Sequence, residues 1–213
     1  MGDSLRHGLA LALALAASSA RADHQPATGV DEKPHRGTFV ETTLGLFTAL
    51  GGSRFFSNAQ PYLGMTFGRE VGEPGSVFAS LGIGAASASC YQPATTANDC
   101  QAADSFGATF AELGGSYGLP LAARLLLSLK LVGGVTYLSP GPVREGNNVP
   151  DSLFGFHGGL GGALDYDTHL DHFAVGVDAL VRYSLVRYSP ASGSSRLLAL
   201  PSLSIMPRIR YVF

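Results

Sequence analysis

Beyond residue 22, no apolar run in this chain reaches the roughly twenty residues that a membrane-crossing helix needs, which excludes a helical membrane protein. Tryptophan is absent and charge is scarce. Asp, Glu, Lys and Arg make up 14% of the 213 residues, against about 25% in an average soluble domain, and a water-facing surface is rarely so bare. The formal charge of -2 provides no basic face for a nucleic acid. Cysteine occurs twice, at Cys90 and Cys100, and neither position suits an amino-terminal lipid anchor. What the chain has in quantity is glycine, 28 residues of it, spread among short alternating segments.

The amino terminus supplies the compartment. Arg6 and His7 precede the run GLALALALAA at 8–17, and Ala20-Arg21-Ala22 has the small-x-small form of a cleavage site. An apolar segment of about ten residues is half a bilayer span, so residues 1–22 are expected to be a secretory signal and the mature chain to begin at Asp23. Residues 23–37 are polar, contain Pro26 and Pro34, and are expected to form a flexible periplasmic lead. Export puts Cys90 and Cys100, with nine residues between them, in an oxidising compartment, and a disulfide is expected.

The last segment, LSIMPRIRYVF at 203–213, alternates strictly. Leu203, Ile205, Ile209, Tyr211 and Phe213 share one face, while Ser204, Met206, Arg208 and Arg210 share the other; period two is the strand period. In a soluble sandwich the apolar face would be core. In a closed membrane barrel it would meet lipid, and the arginines would point into a polar interior.

Seven earlier segments repeat the pattern. Strands are expected at 40–50, 61–70, 77–85, 105–117, 125–137, 154–165 and 173–185, with the eighth ending at Phe213. The fourth has the weakest alternation, because Phe106 and Phe110 share the face of Glu112. Short turns are expected at 71–75, 118–123 and 166–171, and longer connections at 51–60, 88–104, 139–152 and 188–195. Eight strands joined alternately by long and short connections give an all-β, antiparallel, up-and-down transmembrane β-barrel over residues 38–213. With both ends in the periplasm, the four longer connections face outward. A soluble eight-stranded ligand carrier is the competing fold, but it needs its apolar face inside and its charges outside.

Parity assigns Glu41, Glu112, Asp165 and Asp178 to the inward face together with Lys130, Arg182, Arg208 and Arg210, four charges of each sign. Eight strands enclose a space that side chains just fill, so these charges are expected to cross-link a plugged interior; the alternative is that they line a narrow ion channel. No cofactor or metal is expected. His157 falls inside the barrel whereas His169 and His172 fall at a periplasmic turn, so the three share no metal. The glycines of 155–162 alternate along a strand instead of opening a helix, and make no phosphate loop. Small barrels that modify lipid A or cleave peptides place a nucleophile or acid with a histidine at the outer rim; no histidine is expected near an outer connection, and no catalytic residue is assigned.

The terminal amphipathic strand, with Tyr211 two residues before Phe213, resembles the carboxy-terminal signature of bacterial outer-membrane β-barrels. That resemblance implies recognition by the barrel-assembly machinery through Tyr211 and Phe213, and contact with outer-membrane lipid. The overall plan resembles the small OmpA-like and OmpX-like barrels. The stretch GGSRFFSNAQPYLG at 51–64 and the paired cysteines of the next connection resemble CglE-type barrels of adventurous gliding motility in myxobacteria. This implies a non-enzymatic outer-membrane component with envelope or motility partners. It carries over no catalytic residue. A general surface barrel for envelope stability or adhesion, and a rim-located hydrolase of lipid or peptide, are the alternatives on the same fold.

Overall fold

Alternation makes each segment a strand, and the ladders between segments make a ring. The computed structural model describes residues 37–51, 56–72, 74–87, 105–143, 151–170, 172–189 and 195–213. Among them run β1 Thr38–Ala49, β2 Asn58–Glu70, β3 Gly75–Ser87, β4 Ser105–Ala122, β5 Leu125–Ser139, β6 Leu153–Asp167, β7 Phe173–Tyr188 and β8 Arg196–Val212. Each strand pairs antiparallel with the next, and β1 pairs with β8, so the expected all-β barrel closes without a free edge. The expected signal at 1–22, nearly all of the lead at 23–37, and both cysteines lie outside the described residues.

Closure has a measurable stagger. Paired residues lead from Phe39 through Gly68, Phe78, Gly114, Val132, Gly159, Arg182 and Ser202 back to β1 at Ala49, ten residues beyond the start. A shear of ten over eight strands tilts them by ~40°. The same circuit shows how a narrow lumen accommodates rings, since Phe39 faces Gly68 and Phe78 faces Gly114. A Cβ on Gly114 would lie 2.6 Å from Cζ of Phe78, and one on Gly68 would enter the Phe39 ring. Glycine is required there by the ring opposite.

The strands run longer than alternation alone indicated. Residues 118–122, expected in a turn, belong to β4, and the turn is Ala123-Arg124. Gly118 and Pro120 suggest a break, but β3 has already ended at Gly75 opposite Tyr117, which leaves that side of β4 an edge where a proline costs little. Tyr166, Asp167 and Tyr188 likewise extend β6 and β7 into expected connections. In the β6–β7 turn, His172 adopts φ 72°, and the Thr168 hydroxyl donates to the Phe173 carbonyl at 2.7 Å. All three short turns lie at the end of the barrel that holds both strand termini, where the Phe213 amide donates to the Thr38 carbonyl at 2.8 Å.

Candidate functional site: the filled lumen

The eight charges on the inward positions are all buried, and the register sorts them into two clusters. Toward the end that holds the short turns, Arg208 on β8 grips Asp165 on β6 with Nε at 2.7 Å from Oδ1 and with Nη2 on Oδ2. Its Nη1 donates to both oxygens of Glu41 on β1, at 3.2 and 3.1 Å. Arg210 Nε donates to Glu41 Oε1 at 2.7 Å, and its guanidinium lies 4.3 Å from the Phe39 ring centre. Lys130 on β5 pairs with Asp178 on β7 and approaches Glu41 Oε2 at 3.6 Å. Three cations thus meet Glu41, and the cluster is neutral, with three charges of each sign.

The second cluster sits higher, around Arg182 on β7, whose Nε and Nη2 hold the two oxygens of Glu112 on β4. Nη1 donates to Ser204 and Nη2 to the Tyr62 hydroxyl at 2.9 Å, while Phe110 lies under the guanidinium at 4.7 Å. His157 on β6 completes it, with Nε2 at 2.9 Å from Glu112 Oε1 and Nδ1 at 2.8 Å from Thr136 Oγ1, which in turn meets Ser184 Oγ at 3.1 Å. Between the clusters lies a cavity of about 30 Å³, bordered by Thr43, Ser80, Lys130, Asp178 and Met206 among others, with room for about two waters. Asp178, which borders it, leaves Oδ1 without a hydrogen-bond partner among the described residues.

Above the second cluster the lumen turns apolar. Phe47, Phe106, Leu138, Val186 and Leu200 are fully buried, and Phe47 packs on Phe110 at 5.7 Å between ring centres. Gly141, Pro142 and Val143, which follow β5, are buried as well, and Val143 joins this cluster. The sequence reading had the inward charges but not this plug. Its visible trace was the pair Phe106 and Phe110, which spoiled the alternation of β4 because both point into the barrel.

Thr136, His157 and Glu112 form a hydroxyl–imidazole–carboxylate chain, the order used by a nucleophile, its base and the base's orienting group. The sequence reading did not assemble it, because the three lie on different strands. The Thr136 residue has no accessible surface, the plug lies above it, and Arg182 holds Glu112. Among the described residues no three His, Cys, Asp or Glu side chains converge as metal ligands. His169 sits apart in the turn, with Nδ1 bonded to Arg124.

The outside is the inverse of the lumen. Leu44, Leu63, Leu81, Leu113, Leu131, Leu160, Val181 and Ile205, one from each strand, are about half exposed or more. Tyr117, Tyr166, Phe173 and Tyr211 ring one end of this belt, and Tyr137, Phe154, Phe156 and Tyr183 ring the other. From register and tilt the two girdles are ~25 Å apart, the height of the apolar band of an outer-membrane barrel. Tyr211 is the centre of a small stack, 4.9 Å from Phe173 and 4.8 Å from Phe213. Charged side chains on outward positions of the described strands are Arg69 and Arg187, ~30 Å apart along the axis, one beside each girdle.

No protein-family model matches the chain, and no curated protein matches it in sequence. Solved structures do match in fold. Neisserial surface protein A superposes with a TM-score of 0.56 at 11% identity over 83% of this chain and 97% of its own. Ail of Yersinia pestis, solved with the heparin analogue sucrose octasulfate, gives 0.50 at 13% identity over 84% of this chain and all of its own. The outer-membrane protein AlkL, solved in lipid bilayers, gives 0.50 at 14% identity over 91% and 97%. The fold is that of the small eight-stranded outer-membrane β-barrels, and the outer membrane is where a closed barrel with this apolar belt is stable.

Proposed function

We propose that the protein is a closed surface barrel that serves as a structural or docking element of the cell envelope, without catalytic activity. Both chain ends lie in the periplasm, and the binding surfaces are the four outer connections and the lead at 23–37. The filled lumen carries this reading. A solute path needs continuous water, whereas this interior stacks two self-neutralising ion clusters beneath an apolar plug of Phe47, Phe106, Phe110, Leu138 and Leu200. The inaccessibility of Thr136 weighs against a hydrolase using the chain through His157. A narrower form, membership of a gliding-motility apparatus, rests on the resemblance in 51–64 and the paired cysteines. Assembly through the terminal strand by the barrel-assembly machinery rests on Tyr211 and Phe213.

In planar bilayers the purified protein is expected to give no steady, large conductance. Reproducible open channels whose ion selectivity changes on Lys130→Glu would overturn the closed-barrel reading in favour of a channel. Deleting the gene and scoring single-cell motility, envelope integrity and the lipid A profile separates the motility, structural and enzymatic readings.

A further inference from the structure

We infer that the seam between β1 and β8 is a lateral port through which the lumen cavity exchanges small uncharged molecules with the membrane. The β1–β8 ladder keeps one register from Phe39–Val212 to Ala49–Ser202, yet the pairing lapses at Leu44 and Gly45, opposite Pro207 and Met206. The other ladders shift only near strand ends, at Ala59–Tyr62 and Pro120–Ala122. The Phe213 amide donates to the Thr38 carbonyl and the Val212 amide to the His172 carbonyl, so odd-numbered residues of β8 turn their nitrogens toward β1. Counted back by twos, that position falls on Pro207, which has no N–H for the Leu44 carbonyl. Pro201 also turns its nitrogen toward β1, since its carbonyl accepts from the Leu50 amide. Proline is ordinarily kept to sheet edges, but here it sits within a closed ring. Leu44 lies on the midline of the exposed apolar belt, where no water replaces the lost bond.

The cavity lies directly behind this gap. Thr43 and Met206, the chain neighbours of Leu44 and Pro207, both border it, and so does Asp178, opposite Met206 on β7, with its free Oδ1. The lower ion cluster closes the lumen on one side of the cavity, and Arg182 with Glu112 and the plug closes it on the other. The remaining way in is through the wall, and the wall is weakest at the missing bond. Lys130 and Arg182 balance Asp178 and Glu112 in the lining, so the space suits an uncharged hydrogen-bond donor over an ion. The inference rests on the closed lumen proposed above.

The test puts Thr43→Cys on the cavity wall of the full chain inserted in vesicles and measures its modification by two thiosulfonates. Methyl methanethiosulfonate is uncharged and enters lipid, whereas the trimethylammonium-ethyl reagent is charged and is supplied on both sides of the vesicle. Peptide mass spectrometry reads each cysteine separately, so Cys90 and Cys100 do not interfere. The uncharged reagent is expected to modify T43C, and Pro207→Val, which restores the N–H, to slow that modification at least about fivefold. A smaller slowing overturns the proposal, and so does a T43C thiol that the uncharged reagent never reaches. The charged reagent should modify neither chain. Modification by it would mean an open aqueous mouth, which overturns the closed lumen and the port with it, whereas an unaltered rate on Pro207→Val overturns the port alone. Heat-dependent gel mobility reports whether each variant is folded, and Met206→Cys on the same wall replaces T43C if the latter does not fold. If Pro207→Val does not fold, Ala108→Cys decides, since Ala108 is fully buried in the plug away from the cavity. Modification of A108C as fast as T43C would make the access global opening of the barrel and overturn the port.

Discussion

Arg182 is among the largest fully buried side chains, and its surroundings explain how a guanidinium survives there. Glu112 neutralises it, Ser204 and Tyr62 take further N–H groups, and Phe110 offers a ring face. Removing one member of such a pair strands the other, at a cost of about 3–5 kcal/mol, whereas removing both strands neither. Arg182→Ala and Glu112→Ala should therefore each lower the unfolding free energy of the vesicle-inserted barrel, read from its urea titration, by an amount in that range. The double variant should be destabilised by less than the sum of the two. Strict additivity of the single effects in that double-mutant cycle would mean that the pair contributes nothing as a pair.

At the scale of the strand, β8 combines two tasks that separate physically. Its inward arginines join the lower cluster, while its outward Tyr211 and the exposed Phe213 belong to the aromatic girdle. Phe213 contributes one backbone hydrogen bond to Thr38 and an edge contact to Tyr211, so its removal takes little from the finished barrel. Deleting Phe213 should nonetheless impair insertion, leaving much of the chain without the heat-dependent shift in gel mobility that a closed barrel gives. The fraction that does insert should unfold within about 1 kcal/mol of the intact chain. Equal insertion of the two chains would make the terminal aromatic a coincidence of sequence.

At the scale of the whole barrel, the described residues form a closed wall. The ring leaves no strand edge exposed along its circumference, the apolar belt is covered by lipid, and the lumen is occupied from Phe39 at one mouth to Val143 at the other. On the function proposed above, the longer connections carry what such a wall cannot, and the one at 88–104 holds Cys90 and Cys100. A bridge between them would constrain a loop of about eleven residues by on the order of 3 kcal/mol. In intact, unreduced cells a membrane-impermeant alkylating reagent is expected to label neither cysteine, and both should react after reduction. Labelling of both before reduction would rule out the bridge.

Alternation along the chain was enough for the number of strands and for which side chains share a face, because period two is a property of the single strand and needs no partner. The order of the strands came from the lengths of their connections, and the inward face from the scarcity of charge. Strand ends were less legible: Gly118 and Pro120 carry turn chemistry locally, and whether that breaks a strand depends on what lies beside it, here the end of β3. Parity placed Glu41, Lys130 and Arg208 on inward positions but could not bring them together, since residues 41, 130 and 208 meet only through a ten-residue shear that the chain as a whole adopts. The apolar plug depends on the same closure. Phe47, Phe106 and Leu138 face inward on three different strands, and only the diameter and stagger of the ring decide that they meet and shut the lumen.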